Sequence, residues 1–431
     1  MKNKRFLALL LICAVAPTPA SAQQPDIPSD PVALLRIGSD QTEAIKIHDH
    51  IYLALGFGNC FMVTTTEGNV IIDTSSPMHA ARQKKLLQAV DAGPIKYIIL
   101  THGHGDHRGG VSTWKEPGTE VIAQREYVEF LHYQERLGGF YNERNAAQFG
   151  GRIPGAPARG VEGNYPAEID ATILFDDEHR FTLGGTEFVL HHTPGETYDH
   201  LTVWIPEYKA AFVGDNYYAS FPNIYTLRGT KPRWALDYVE SLNKVLALKP
   251  EVLIPSHGMP VHGNDEISRV VTRYRDAIAY VHDETVKGMN AGKDVFTLMN
   301  EIKLPSALDI GESYGKISWS VRGIYEGYVG WFDGNPTTMY ESSPAAAYPE
   351  LVAMAGGAEK IAARAVELVA AGELLNGLHL ADIALTAAPD NKTALQARLT
   401  ALQALVDASV NSNETGWLRY GIVQTQKKLD K

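Results

Sequence analysis

Between residues 51 and 73 the chain alternates apolar stretches with turns, in the run IYLALGFGNCFMVTTTEGNVIID. The pattern reads as two or three strands, with Glu67-Gly68-Asn69 as a hairpin turn. Apolar residues at helical spacing predict a helix over 78–92. Next comes IKYIIL, a short apolar run rich in β-branched residues, with Gly-Pro before it and Thr-His-Gly after it. This predicts a buried strand, and open α/β sheets offer their ligands at the carboxyl ends of such strands. Strands resume at TEVIAQ, RFTLGGTEFVLHHT, HLTVWIPEYKAAFVGD and EVLIPSH. The alternation predicts an α/β fold, a sandwich of two sheets with outer helices, ending near residue 265.

Beyond that point the texture changes. Residues 265–293 read as helical, 294–345 hold many Gly, Pro and aromatic residues, and 350–431 are helical and rich in Ala and Leu. Within the last stretch, two helices separated by Pro389-Asp390-Asn391 are similar to a tetratricopeptide-like hairpin. No 34-residue repeat accompanies them, and the region reads as a packing domain without chemistry.

A length of 431 residues leaves room for this second domain, since single cores stop growing near ~250–300 residues. The net charge of -11 and pI near 5.8 argue against general binding to nucleic acid or to an anionic membrane. An anionic substrate would therefore need local positive charge, from metal or arginine. The first residues read as a signal peptide over 1–22. Lys2, Lys4 and Arg5 precede an apolar run over 6–15, and Ala20-Ser21-Ala22 offers a cleavage site. The run is shorter than the ~20 residues of a membrane span. Export without a stable membrane anchor follows, to the periplasm or beyond. Cys13 lies inside the leader, behind an Ile12 too large for lipoprotein processing. Cys60 then stands alone, which excludes an internal disulfide and a cysteine zinc cage. Any metal must be held by imidazoles and carboxylates.

Those side chains converge at Thr101-His102-Gly103-His104-Gly105-Asp106-His107. Three imidazoles and a carboxylate leave a buried strand together, with glycines at alternate positions that let the backbone turn tightly around an ion. Neutral imidazoles and a carboxylate suit zinc or a similar first-row ion, and the lack of thiolates fits a catalytic site.

The H-x-H-x-D-H pattern after an apolar strand resembles the metallo-β-lactamase superfamily. Downstream, HTPGE at 192–196, FVGD at 212–215 and LIPSHG at 253–258 match its remaining ligand segments in order. The resemblance implies one metal on His102, His104 and Glu196, a second on Asp106, His107 and His257, and Asp215 bridging both. Glu196 stands where most members carry His. The alkylsulfatase branch has a glutamate there, with its bridging acid 19 residues further on, as Asp215 follows Glu196 here. That branch also has an N-L-Y-T-L-R-G segment, matched by Asn223-Ile224-Tyr225-Thr226-Leu227-Arg228-Gly229. SVRGIYEGYVGWFDGNP at 320–336 is similar to the start of the alkylsulfatase dimerisation domain.

The likeness covers residues 40–431. It implies a metallo-β-lactamase αβ/βα sandwich over 30–265, an all-α dimerisation domain over 266–431 and a homodimer. The implied activity is hydrolysis of alkyl sulfate esters to alcohol and inorganic sulfate by a hydroxide held between two Zn2+ ions. Asp106 would fix that hydroxide, with Arg228 and Asn223 binding the sulfate. Two departures stand out: Asp215 replaces the usual Glu, which bears on metal spacing, and the sequence has no sterol-carrier-like domain, which sets an expectation of weaker preference for long-chain detergents. Around Glu196, His192 and His200 are alternative ligands; His192 reads as a support for the site and His200 as scaffold. His262 is a candidate for the pocket wall, and Tyr225 is either a core aromatic or a substrate contact. The rival readings are a lactonase, phosphodiesterase or β-lactamase on the same site, which lack the Asn223/Arg228 segment, and a periplasmic metal-binding protein without catalysis.

Overall fold

The computed structural model describes residues 27–149 and 169–431, so the expected leader, with Cys13, lies outside the described residues. Two sheets form the heart of the molecule. The first runs β1 (Ile45–His48), β2 (Ile51–Ala54), β3 (Cys60–Thr65), β4 (Gly68–Thr74), β5 (Ile95–Ile99), β6 (Glu120–Gln124) and β7 (Ile173–Phe175), in that spatial order. Its first four strands are antiparallel neighbours, and β4 to β7 pair in parallel. The second contains β8 (Glu178–Leu183), β9 (Thr186–His192), β10 (Leu201–Ile205), β11 (Ala210–Gly214), β12 (Val252–Pro255) and β13 (Val261–His262), in the order β13-β12-β11-β10-β9-β8.

The period-two pattern explains the layering. On β5, Ile99 faces the other sheet and packs with Phe61, Ile72, Phe188 and Phe212, whereas Ile98 faces outward onto Leu87, Trp114 and Leu131. A strand largely buried on both faces has little use for alternating polar residues, hence the run IKYII, in which Lys96 is the one exposed polar position. The outer cover of this face is the helix Pro77–Gln88, which stops short of the expected 92. Asp91 Oδ1 accepts from the Gly93 N–H (2.6 Å) and from Asn69 Nδ2 (3.1 Å), a local turn that competes with further helix.

Helices Ala235–Ala247 and Asn264–Asn290 cover the second sheet, where Leu242, Val271, Tyr274 and Ile278 pack on Val213 and Leu253. The same core takes in Val321 and Ile324 of helix Ile317–Val329. The sandwich and the first helices beyond it therefore share one apolar interior. Farther on, helices Ala358–Ala370, Leu374–Ala387 and Lys392–Ala408 meet through Ala362, Ala384 and Ala394, small side chains that allow close approach. Between the last two of these, Asn391 caps the second by accepting from Ala394 N (2.8 Å). The final helix, Ser412–Leu429, returns to the sandwich and lies against helix Gly138–Gln148. Among the described residues no helix is long and apolar enough to cross a membrane.

Candidate metal centre

The expected ligands all stand at strand ends. β5 hands over to the loop holding His102 and His104, and a one-turn helix, Gly105–Arg108, carries Asp106 and His107. Gly103 is required there, because a Cβ would fall 2.4 Å from the Phe130 ring; at Gly105 the space is open. Glu196 lies in the turn between β9 and β10, Asp215 directly follows β11, and His257 follows β12.

Around Asp215 the donors converge. Its Oδ2 lies 3.2 Å from His257 Nε2, 3.4 Å from His107 Nε2 and 3.8 Å from His102 Nε2. Asp106 Oδ2 lies 3.5 Å from both His107 Nε2 and His257 Nε2. His104 Nδ1 is 2.8 Å from His102 Nε2 and 3.9 Å from Glu196 Oε1. Among the described residues three clusters suited to a cation emerge: His102, His107 and Asp215; Asp106, His107 and His257; His104, Glu196 and Asp215. Asp215 belongs to two of them, the place expected of a bridging ligand. His107 Nε2 and Asp215 Oδ1 are buried with no hydrogen-bond partner. Leaving such groups unsatisfied costs about 1–3 kcal/mol each, more where charge is involved, so the residues fit a divalent ion between them.

Sequence reasoning missed what orients these ligands. Asp73, fully buried at the end of β4, accepts from Thr101 N (2.8 Å), Thr101 Oγ1 (2.8 Å) and Ser256 Oγ (2.7 Å). It also takes His107 Nδ1 (2.9 Å), which turns Nε2 toward the centre. One carboxylate thus ties β4, β5 and β12 together beneath the site. Glu196 is held by Tyr238, whose hydroxyl donates to Oε2 (2.8 Å), and by an ion pair between Oε1 and the buried Arg233. The only signal in the sequence for Asp73 was a lone charge closing the apolar run VIID. Arg233 and Tyr238 gave none.

Burial pushes His102 and His104 well below the ordinary histidine range. His107 and His257 are buried too, but the charges of Asp215 and Asp106 raise them. Burial also opposes ionisation of Asp106 and Asp215, and the facing His107 and His257 outweigh it and hold both carboxyls down. Glu196 is pushed up to about 7 by burial, against the pull of Arg233.

The flanking histidines separate clearly. His200 stacks under His102 (5.3 Å between rings) and its Nε2 accepts from Asp215 N (3.1 Å), a scaffold role. His192 bonds to the Tyr198 carbonyl (2.8 Å). His262 is exposed on β13 and does not line the cavity, because the short strand turns it to solvent. Tyr225 is neither core nor cavity wall; it is 39% exposed and lies beside Gly323.

A cavity of about 440 Å³ opens over the centre. His104, Asp106, Glu196, Asp215 and His257 form part of its wall, with Arg228, Tyr314 and the apolar Phe57, Met78, Phe130, Leu131 and Phe149. Arg228 Nη2 lies 3.2 Å from His104 Nε2. Asn223, the other half of the expected donor pair, is buried and is not among the residues that line this cavity. Its N–H donates to the Tyr218 hydroxyl (2.8 Å) and its carbonyl accepts from Arg233 Nη1 (2.9 Å), so its backbone braces the residue that holds Glu196.

Strand-end imidazoles and carboxylates on a two-sheet sandwich define a metallo-hydrolase of the metallo-β-lactamase fold, and residues 53–257 match the Metallo-beta-lactamase superfamily. Residues 297–427 match the alkyl sulfatase dimerisation family. The chain is 30% identical over 391 residues to a linear primary-alkylsulfatase of Pseudomonas sp., covering 86% of this chain and 74% of that one. It is 27% identical to the alkyl/aryl-sulfatase BDS1 of Saccharomyces cerevisiae (84% and 60% covered). It is 26% identical to an (R)-specific secondary-alkylsulfatase of Pseudomonas sp. (80% and 57%). The solved sec-alkylsulfatase Pisa1 from Pseudomonas sp. shares the fold, with TM-score 0.80 at 22% identity, over 90% of this chain and 66% of that one. The chain thus spans between half and three quarters of the length of these curated relatives. It belongs to the alkylsulfatase family of the metallo-β-lactamase superfamily.

Proposed function

We propose that this protein hydrolyses alkyl sulfate esters to alcohol and inorganic sulfate, using two divalent ions, with zinc the best match to the donor set. The observation that carries the reading is Arg228, placed on the cavity wall beside the ligand His104 in a protein that is otherwise acidic. When bound, the ions supply Lewis acidity and lower the pKa of water toward ~7.

The chain's own residues do the rest. Arg228 presents a planar fork that matches two oxygens of a sulfate, and its charge is placed to meet the negative charge that accumulates on the leaving group. If His104 held an ion through Nδ1, its proton would stand on Nε2 and it would no longer accept from Arg228, which would leave the guanidinium for an anion in the cavity. Phe57, Met78, Phe130, Leu131 and Phe149 offer the alkyl group an apolar wall and keep water from it. Tyr314 on the same wall is a poor acid, since burial and nearby carboxylates push its hydroxyl up. Attack at carbon expels sulfate, a weak base that needs no proton. Attack at sulfur expels an alkoxide that does. Carbon–oxygen cleavage is the proposed route, since it asks no proton of Tyr314.

Release of inorganic sulfate from a panel of alkyl and aryl sulfates tests the activity, with turnover of alkyl sulfates expected; turnover of a lactone, phosphodiester or β-lactam instead would replace the reading. Hydrolysis in isotopically labelled water tests the bond: label in the alcohol is expected, and label in the sulfate refutes attack at carbon. The working form is proposed to be an exported homodimer, on the strength of the dimerisation family match and the basic, then apolar, start of the sequence.

A further inference from the structure

Two irregular segments bring the polar side chains Arg228 and Tyr314 to the cavity wall: 223–229 carries the first and 312–315 the second. Helix Gly138–Gln148 grips the first. Arg144 Nε donates to the Arg228 carbonyl (2.7 Å) and its Nη2 to the Leu227 carbonyl, while Gln148 Oε1 accepts from Arg228 N (2.9 Å) and Thr226 Oγ1 (3.3 Å). The Arg144 guanidinium lies by the rings of Phe140 (5.1 Å) and Trp417 (4.9 Å), and Trp417 belongs to the final helix. Next to it, a Cβ on Gly416 would stand 1.8 Å from the Gln148 carbonyl oxygen, so the two helices touch backbone to backbone. The start of the final helix also grips the second segment. Asn411 Nδ2 donates to the carbonyls of Glu312 (2.7 Å) and Tyr314 (2.9 Å), Asn413 Nδ2 to Tyr314 (2.9 Å), and Ser412 N to Ser313 (3.0 Å).

We infer that Arg144, Gln148 and Trp417 are positioning residues for the sulfate-binding arginine, so that helix Ser412–Leu429, about 190 positions later in the chain, is a structural part of the active-site wall. The inference rests on the reading of Arg228 as the sulfate anchor. A forked donor is productive only where both of its bonds line up, and a misplacement of ~1 Å can cost on the order of 100-fold in rate. Every backbone group of Leu227 and Arg228 that a hydrogen bond fixes here is fixed by helix Gly138–Gln148. Arg144 holds two carbonyls with one planar group, which a lysine ammonium reproduces only in part.

The test uses the full chain with its metal and an alkyl sulfate that it turns over. Gln148→Leu, Trp417→Leu, Arg144→Ala and Arg144→Lys are each made alone and together with Arg228→Ala. Each of the first three is expected to lower kcat/KM by about tenfold, with metal content and Tm close to the parent, and Arg144→Lys to recover part of the loss. Combined with Arg228→Ala, each should cost almost nothing more, the non-additivity of residues acting through one group. Losses that add to that of Arg228→Ala, or that come with lowered Tm or metal content, overturn the positioning role and leave the sulfate anchor standing. Undiminished kcat/KM in the single variants does the same. If Arg228→Ala by itself keeps full activity, the anchor reading and this inference fall together.

Discussion

The site has two sides that are built differently. On one, seven candidate ligands sit at the ends of strands or within a turn of them, and their support is buried backbone pairing plus Asp73, which is fully enclosed. On the other, Arg228 and Tyr314 stand on irregular segments held by side chains from distant helices. A donor at a strand end keeps its place through the many hydrogen bonds of the sheet, so replacing it removes chemistry and little else. A donor on the helical side keeps its place through three or four contacts, so its position can be lost without touching it.

The largest effect should come from removing a ligand on the strand side. We expect two metal ions per chain by elemental analysis, and His257→Ala to remove at least one of them. Turnover should fall by ~1,000-fold or more, since the ions bring the pKa of water from 15.7 to about 7. A wild-type protein with one ion, undisturbed by His257→Ala, would break the two-ion arrangement and with it the shared role of Asp215.

Next in size is Arg228→Ala on the helical side. Loss of charged hydrogen bonds to the substrate, about 3 kcal/mol, corresponds to roughly 100-fold in kcat/KM. Metal content and Tm should stay near wild type, and Arg228→Lys should recover only part of the rate. Activity kept by Arg228→Ala, or lost only through unfolding, would make the arginine scaffold and erase the division of labour between the two sides.

Asp73→Asn sharpens the strand side from beneath. The carboxylate is placed to accept from His107 Nδ1, which would leave the Nε2 lone pair to a bound metal ion. An amide donor in its place favours the other tautomer, with the proton on the nitrogen that faces the metal. Metal affinity, read by competition with a chelator, should drop by about 10–100-fold. An unchanged affinity would show that backbone pairing alone orients His107.

The same division decides what the sequence discloses. The His102–His107 cluster is contiguous and follows IKYIIL, a run in which the buried Ile95, Ile98, Ile99 and Leu100 leave Lys96 as the one polar, exposed position. Glu196, Asp215 and His257 are scattered, but each closes or follows a strand and stands in a segment with family likeness. Asp73 escaped notice because a single acid after an apolar run also marks an ordinary turn. Arg233 escaped because nothing local to it announces burial; its partner Glu196 is brought to it by the fold. With Asn223 the motif was legible and the bracing by its backbone was not: a segment match locates a residue, whereas burial and backbone contacts determine what it braces. The helical wall, where helices Gly138–Gln148 and Ser412–Leu429 meet, rests on contacts between residues hundreds of positions apart, and no period or spacing records those.

The smallest effect on catalysis should come from the outer face. Past helix Ile317–Val329 the chain exposes Trp331 (79%) beside Phe332, with Tyr328 half exposed just before them. Aromatic side chains left in solvent at this density suit an interface between two copies, where tryptophan commonly dominates the binding energy. Sedimentation at micromolar concentration should give a dimer, and Trp331→Ser should weaken it by roughly 30-fold, the equivalent of a ~2 kcal/mol anchor. Since the seven candidate ligands and Arg228 all belong to one chain, turnover per site should change by no more than about twofold, within the ±0.5 kcal/mol expected of surface substitutions remote from the chemistry. A monomeric wild-type protein would remove the dimer. A dimer indifferent to Trp331→Ser would place the interface elsewhere. A loss of turnover that follows dissociation would mean that the helical wall needs its partner copy, making it the weaker of the two sides in a further sense: dependent on contacts from outside the chain as well as from its far end.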